Sequence, residues 1–179
     1  GQIWYNTTSQ TLKGVELGAA SWSTGGNMGT ARRSLAGAGT QTAGLAFGGF
    51  APPNSAATEE YNGTAWTGGG NLGTVSQALG GAGTQTAGLA ISGQSNPSTE
   101  LTSCEEYNGS SWTAGGNLGT SREYAASAGL QTAALIFAGA TNSPLTNLTE
   151  SYDGSSWTSA GDMSVGRNSL AGAGIQTSA

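Results

Sequence analysis

A repeated unit of about 45 residues is the feature of this chain that most limits its possible folds. Four tryptophans are spaced 44, 46 and 45 residues apart, and four glutamines follow the same three intervals (Trp22, Trp66, Trp112 and Trp157; Gln41, Gln85, Gln131 and Gln176). The wording Glu-Glu-Tyr-Asn-Gly precedes both Trp66 and Trp112. A fixed period of this length is typical of repeat folds, in which each unit buries its apolar face against its neighbour.

Each unit is predicted to contain four short strands. In the first complete copy they cover residues 34–38, 42–47, 58–61 and 64–67. Asn62-Gly63 separates the last two, and Asn-Gly between strands favours a type I′ hairpin with positive φ at both central residues. No segment sustains a 3.6-residue apolar period, so we expect very little helix.

Four strands in each unit of this length are typical of a propeller blade. The sequence therefore predicts an all-β fold, a β-propeller of four-stranded antiparallel blades with about four blades in a single domain over residues 1–179. The repeats lie at approximately 1–30 plus 167–179, 31–75, 76–120 and 121–166. One blade is composite, because a first strand at 168–173 would join N-terminal strands at 3–5 and 12–17. This arrangement removes two open sheet edges.

Composition excludes several classes of function. The 179 residues contain no His and one Cys, Cys104, which rules out Ser-His-Asp and Cys-His catalysis, His-containing zinc sites and an intrachain disulfide. A net charge of −5 argues against a nucleic-acid or anionic-membrane surface, and the longest apolar stretch, 133–138, is too short to span a bilayer. We expect no enzymatic activity, cofactor or metal, no nucleic-acid partner and no membrane insertion.

Part of the repeat resembles a known motif. Met28-Gly29-Thr30-Ala31-Arg32, then Gly48-Gly49, then Glu59-Glu60-Tyr61-Asn62 and finally Trp66 are together similar to the kelch motif. The resemblance covers nearly the whole chain and implies a β-propeller. This sequence departs from the motif at Ser76, in place of arginine, at Ser92-Gly93 and Ala138-Gly139, in place of the double glycine, and at Leu17-Gly18, in place of Tyr-Asn.

A second resemblance rests on near-identical stretches of sequence rather than on the chemistry of particular residues. The repeated Gly-Ala-Gly-Thr-Gln-Thr-Ala phrase and the opening at 1–6 are similar to repeat proteins of marine bacteriophages, often tail or virion components. This likeness implies a virion or extracellular location.

The small number of repeats leaves three arrangements open. The chain forms a closed four-bladed monomer, or two chains complete each other's split blade in an eight-bladed two-fold ring, or the chain is a piece of a longer array. Exchange of one strand is an easy route to an isologous dimer, and we favour self-association.

The segments between the second and third strands break the repeat and hold all four prolines. Repeat proteins place such variation on a binding face, although unconstrained surface loops drift in the same way. We expect multivalent recognition of a surface glycan or virion protein through these loops. The candidate binding-face residues are Phe50, Pro52, Asn54, Gln94, Asn96, Thr141 and Asn142.

The tryptophans have two interpretations. As stacking platforms, one per blade, they would make the protein a carbohydrate-binding lectin with pockets between blades; as packing residues they would be buried between blades with the indole N–H hydrogen-bonded. We favour packing for all four, Trp22, Trp66, Trp112 and Trp157. The leading prediction for function is a non-catalytic structural or adhesion module, and the lectin is the alternative.

The glutamates suggest structural pairing. Glu59 and Glu60 are neighbours on a strand and point to opposite faces, so they cannot converge on one substrate as the carboxylates of a glycosidase do. We expect the periodic acids and bases to form ion pairs within or between blades (Glu59, Glu105 and Glu150; Arg32, Arg122 and Arg167).

Overall fold

The structure, a computed structural model, describes residues 3–6, 11–14, 24–95, 98–141 and 144–177, the first two ranges for their backbone only. Over these residues the protein is all-β and contains no helix, and therefore none long and apolar enough to cross a membrane. Its strands form three four-stranded and two two-stranded antiparallel sheets. The prediction of an all-β fold of repeated antiparallel sheets is confirmed.

The chain begins with a two-stranded hairpin. Strand β1 (Ile3–Asn6) pairs with β2 (Thr11–Gly14), with Ile3 opposite Gly14. By the repeat alignment these positions correspond to Phe47 and Thr58, which are also paired. The hairpin therefore continues the register of the second and third strands into the loop that joins them, since residues 4–6 and 11–13 correspond to 48–50 and 55–57.

Three sheets, called the first, second and third sheet, follow in chain order. The first consists of β3 (Ala36–Thr40), β4 (Ala43–Phe47), β5 (Thr58–Tyr61) and β6 (Trp66–Gly68). The second has β7 (Gly80–Gly83), β8 (Gly88–Ile91), β11 (Cys104–Tyr107) and β12 (Trp112–Ala114), and its loop carries the short strands β9 (Gln94–Ser95) and β10 (Thr99–Glu100). The third consists of β13 (Ala126–Leu130), β14 (Ala133–Phe137), β15 (Thr149–Tyr152) and β16 (Trp157–Ser159). Neighbouring strands pair consecutively in each sheet.

The predicted type I′ hairpin at Asn62-Gly63 is wrong. Tyr61 pairs with Trp66, so the loop has four residues, and of its central pair only Gly63 has a positive φ, at 94°. The Asn62 side chain accepts hydrogen bonds from the N–H groups of Thr64 and Ala65. This local cap is an Asx-type turn, which competes with the two-residue hairpin.

The first strands of the three sheets lie side by side, β3 against β7 and β7 against β13. Just before each strand, a backbone N–H donates to the equivalent carbonyl of the preceding repeat: Ala78 to Ser34, Tyr124 to Ala78 and Ser169 to Tyr124, at 2.8–2.9 Å. All four residues have φ of 52–55° although none is glycine. The same uncommon backbone conformation thus recurs wherever one repeat is joined to the next.

Small residues make this close approach possible. A Cβ added to Gly81 would lie 2.7 Å from the Gly37 carbonyl oxygen and 3.0 Å from both Ala36 Cβ and the Phe47 ring. Gly172 stands in the same relation to Ser127, with 2.5 Å to its carbonyl oxygen. Small residues on the first strands therefore let neighbouring sheets approach closely.

The segment after the third sheet continues the pattern without becoming a strand. Ser169 and Gly172 make the contacts just described, and Gly139 N–H donates to Arg167 O at 2.8 Å. The predicted strand at 168–173 is nevertheless absent from the described structure. Its reason is the lack of a ladder partner, since no described strand pairs with this segment.

Apolar side chains fill the two spaces between sheets. One cluster lies between the first and second sheets (Ala36, Leu45, Phe47, Leu72, Leu79, Ala90 and Tyr107), and the other between the second and third (Ala82, Leu89, Ile91, Cys104, Leu118, Ala134, Ile136 and Tyr152). The described residues do not show a closed ring of sheets. Ring closure remains a prediction.

Candidate functional site

Each junction between sheets contains a tyrosine–carboxylate hydrogen bond. Tyr107 of the second sheet donates to Glu60 Oε1 of the first, and Tyr152 of the third donates to Glu106 Oε1 of the second, both at 2.6 Å. Burial is the main cause that raises the pKa of Tyr107, to about 12, and the Glu60 carboxylate adds to it. Burial also raises the pKa of Tyr152. Both phenols thus remain neutral donors at physiological pH.

A glutamine from the second repeat, the third repeat and the C-terminal segment reaches back to the preceding sheet. Gln85 Nε2 donates to the carbonyl oxygens of Gly44 at 3.1 Å and Tyr61 at 2.8 Å. Gln131 and Gln176 make the equivalent pairs of bonds with the second and third sheets. The sequence identified these glutamines only as markers of the repeat and did not predict their hydrogen bonds to the preceding sheet. The signal for that role was an amide side chain that recurs at the same intervals as the tryptophans.

Trp112 packs between two sheets. Its ring centroid lies 4.9 Å from those of Phe47 in the first sheet and Tyr107 in its own, and its Nε1 donates to Thr58 Oγ1 at 2.9 Å. For this tryptophan the packing interpretation, with a hydrogen-bonded indole, is confirmed.

Trp157 packs similarly but lacks the hydrogen bond. It stacks on Tyr152 with 4.8 Å between centroids, and its buried Nε1 has no hydrogen-bond partner. Cys104 takes the position that Thr58 holds at the first junction, and a thiol is a weak acceptor. Burial raises the pKa of this thiol to about 12. Trp157 therefore packs as expected, with the weak Cys104 thiol rather than a hydroxyl beside its indole N–H.

Trp66 lies on an open face of the first sheet. Its ring is 5.0 Å from that of Tyr61, whose hydroxyl donates to Gly63 O. The two rings line a groove of about 470 Å³ with Gln41, Leu45 and the backbone of β3. In the second and third sheets, the equivalent face packs against the preceding sheet. Trp22 lies outside the described residues.

The third sheet has an open face of the opposite kind. Leu135 and Phe137 are half-buried, whereas their counterparts in the first sheet, Leu45 and Phe47, are 2% and 0% exposed. They border a groove of about 280 Å³ together with Thr149, Gly161 and Met163. Within the part of the chain that the structure describes, the three sheets thus have two unlike open faces, one at each end.

Two of the predicted ion pairs form, each within one repeat. Arg32 Nη2 lies 2.9 Å from Glu59 Oε1, and Arg122 pairs with Glu150. Burial lowers the pKa of both guanidiniums, and the carboxylates oppose this effect. Glu59 and Glu60 bind different partners, Arg32 and Tyr107, as expected for opposite strand faces. Arg167 is exposed, and its Nε donates to Val165 O.

The candidate loops of the first two repeats contact each other. Buried Asn54 donates from Nδ2 to Gln94 O at 3.0 Å, while its Oδ1 has no hydrogen-bond partner. Gln94 Oε1 in turn accepts from Gln77 Nε2 at 3.0 Å. Phe50 is half-buried, with the Arg33 guanidinium 4.6 Å above its ring.

The remaining loop candidates differ in their exposure. Pro52 is exposed and forms a cis peptide bond with Pro53. Thr141 is half-buried, and its hydroxyl lies 3.4 Å from Pro144 O within its own loop. Asn96 and Asn142 lie outside the described residues. The structure therefore brings together Asn54 and Gln94 of the predicted set.

Comparison with known proteins adds no relative. No family model matches the chain, and no curated protein is significantly similar to it. Within the described residues, no group of three or more Cys, Asp and Glu side chains is placed to hold a metal ion.

Proposed function

We propose that this protein is a non-catalytic structural and adhesion module, built as a β-propeller in which the three described sheets are blades. One observation carries the proposal. Residues 168–177 make the first-strand contacts of a further repeat, through the Ser169 N–H, Gly172 and Gln176. They have no ladder partner among the described strands. A segment in the first-strand position with an unpaired backbone would pair with further strands to complete a sheet.

The N-terminal hairpin is the proposed complement. Its register, Ile3 opposite Gly14, continues that of the second and third strands of a blade. Strand order in a blade then places the terminal segment beside β1. By the repeat alignment, Ala171 corresponds to Ala36 and Ile3 to Phe47, which are paired in the first sheet.

The junction residues vary in a way that supports this closure. At the Glu60 position the third sheet has Ser151, which offers no carboxylate, and at the Tyr61 position the N-terminal repeat has Leu17, which offers no hydroxyl. The same repeat has Glu16 at the Glu60 position, where it would offer the Tyr61 hydroxyl a carboxylate in place of the Gly63 carbonyl that it binds now. The composite blade would thus suit both of its neighbours. Leu17 would face Ser151 of the third sheet, and Glu16 would face Tyr61 of the first.

Self-association is part of the proposal. The N-terminal hairpin and the C-terminal segment of a composite blade can belong to one chain or to two, and we favour two. In the two-chain form, two copies make a closed ring and present each loop twice. The resemblance to phage repeat proteins supports a place on a virion surface or tail. Weak contacts repeated around the ring would there gain strength by avidity.

A designed disulfide tests both the blade and the number of chains. Cα atoms of facing strand residues are within disulfide reach, so I3C/A171C in a C104S background should cross-link on oxidation. We expect a covalent dimer on a non-reducing gel and twice the chain mass by light scattering. Each single-cysteine variant is a control for random cross-linking. An internal disulfide in a single-chain particle would overturn self-association but retain the blade, and failure to cross-link would overturn the composite blade.

The lectin is the second candidate, because two half-buried aromatic rings, Trp66 and Tyr61, line an open groove of the described structure. A glycan array separates it from loop-mediated adhesion. Loop recognition predicts binding that P52A/T141A weakens and W66A leaves unchanged, whereas the lectin predicts saturable binding that W66A abolishes. Circular dichroism confirms that each variant is folded. Absence of binding to any glycan would contradict the lectin and restrict adhesion to protein partners.

A further inference from the structure

The second repeat differs from its neighbours at one buried position. In the first repeat, the Arg32 guanidinium binds Glu59 and the carbonyl oxygens of Gly48 and Ala57. In the third repeat, Arg122 likewise binds Glu150 and the Leu148 carbonyl oxygen, the latter at 2.8 Å. Each guanidinium thus fills the space between a carboxylate on the third strand and carbonyl groups around the loop after the second strand.

Ser76 holds this position in the second repeat. It is 3% exposed, and its hydroxyl donates to Ser92 O at 3.2 Å. The shorter side chain leaves a cavity of about 10 Å³, enough for the centre of one water-sized species. The lining residues are Leu72, Thr74, Ser76, Leu79, Ala90, Ser92, Ser103 and Glu105.

The polar lining is rich in acceptors. Glu105 takes backbone N–H bonds from Gly73 at 2.7 Å and Thr74 at 3.0 Å, which leave further lone pairs on its carboxylate. The Ser103 carbonyl accepts the Ser92 N–H at 2.8 Å and is the counterpart of the Ala57 and Leu148 carbonyls that bind guanidinium. Across the described residues, the ion pairs are Arg32–Glu59 and Arg122–Glu150, so Glu105 lies in neither.

We propose that this cavity, called the Ser76 cavity, binds one monovalent cation of water size, ammonium or a potassium-like alkali ion. The cation replaces the charge that arginine supplies in the neighbouring repeats, with carboxylate, hydroxyl and carbonyl oxygens as its ligands. A single carboxylate balances one positive charge, whereas calcium sites in proteins usually contain several carboxylates. Apolar walls from Leu72, Leu79 and Ala90 restrict the size of the occupant.

Thermal unfolding at constant ionic strength tests the site. Chloride salts of ammonium, potassium and sodium are compared with tetramethylammonium chloride, whose cation is too large for the cavity. A ligand that binds only the folded state raises the unfolding midpoint. We expect ammonium or potassium to raise it by about 3 °C at saturating concentration. Which of the two is more effective identifies the preferred ion.

S76R is the matched control, because it supplies the guanidinium that the other repeats contain. We expect S76R to lose the specific response to ammonium and potassium, and E105Q to lose it as well. If E105Q does not fold, S76R and a rubidium-soaked crystal of the unaltered protein decide the matter. Equal midpoints in all four salts, an unchanged response in S76R, or no rubidium beside Glu105 would each overturn the proposal.

Discussion

The Tyr107 hydroxyl donates a 2.6 Å hydrogen bond to Glu60, a residue 47 positions earlier in the chain and in the neighbouring sheet. Tyr152 and Glu106 repeat this bond at the next junction. A neutral hydroxyl bound to a carboxylate makes a charge-assisted hydrogen bond, which is stronger than one between neutral groups. These bonds link consecutive sheets at matching positions.

Removing either partner should destabilise the first junction. We expect Y107F and E60Q each to lower the free energy of unfolding in urea by about 1–3 kcal/mol, because Y107F removes the donor to Glu60 and E60Q gives Tyr107 a weaker, neutral acceptor. The double variant should cost less than the two losses added together. Y124F is the control, since Tyr124 is 38% exposed. Strict additivity would contradict a direct bond in solution.

Loss of the Arg122 guanidinium should be more severe. Arg122 is fully buried, and R122A leaves Glu150 as a buried carboxylate without its cation. Breaking a buried ion pair in this way costs about 3–5 kcal/mol. R167A provides a matched control at the equivalent position, where the side chain is exposed. Equal urea midpoints for R122A and the unaltered protein would show that the pair contributes nothing.

Giving Trp157 an acceptor should stabilise the second junction. C104T places a hydroxyl where Thr58 accepts from Trp112, and we expect a gain of about 1 kcal/mol in unfolding free energy. C104S supplies the hydroxyl without the extra methyl group, in case threonine is too bulky. The reverse change, T58C, should lose a similar amount at the first junction. A loss in both C104T and C104S would refute this assignment.

The protein should lose stability above pH 10. Burial raises the pKa of Tyr107 to about 12, above the ordinary value of 10.0, so the folded state holds its proton more tightly than the unfolded state. This contribution is fully present below pH 10 and is lost as pH rises through 12. Two pKa units correspond to about 3 kcal/mol.

Urea titrations at pH 9, 10, 11 and 12 measure this effect. Y107F should show a shallower loss of stability across this range, because it lacks the titrating phenol. Tyr152 and Cys104, whose pKa values are also raised by burial, account for part of the remaining slope. A slope equal to that of the unaltered protein would mean that Tyr107 does not titrate differently on folding.

A methyl group between the inner strands should not be tolerated. In G81A the new Cβ meets the Gly37 carbonyl oxygen at 2.7 Å, and overpacking of this kind costs about 1–3 kcal/mol. G68A is the control, because a Cβ at Gly68 meets nothing within 4 Å. Thermal unfolding midpoints distinguish the two. A G81A midpoint as high as that of G68A would mean that β3 and β7 are further apart in solution.

Local chemistry explains what the sequence predicted well. Strand β5 begins and ends where it was predicted, at Thr58 and Tyr61, because β-branched and aromatic residues favour strands and Asn62-Gly63 ends the run. The alternation of a strand likewise placed Glu59 and Glu60 on opposite faces, and they bind Arg32 and Tyr107. The hairpin type was missed because the Asn62 side chain caps a longer loop.

The sequence by itself determined the period and the strand-rich unit, since these depend on contacts near in sequence or repeated in every copy. Only the tertiary structure decided which side chains meet across a junction: Gln85 with the Gly44 carbonyl, or Trp157 with Cys104 rather than a hydroxyl. Those partners lie tens of residues apart, and their contacts depend on how one sheet is placed against the next. Spacing along the chain does not encode that placement.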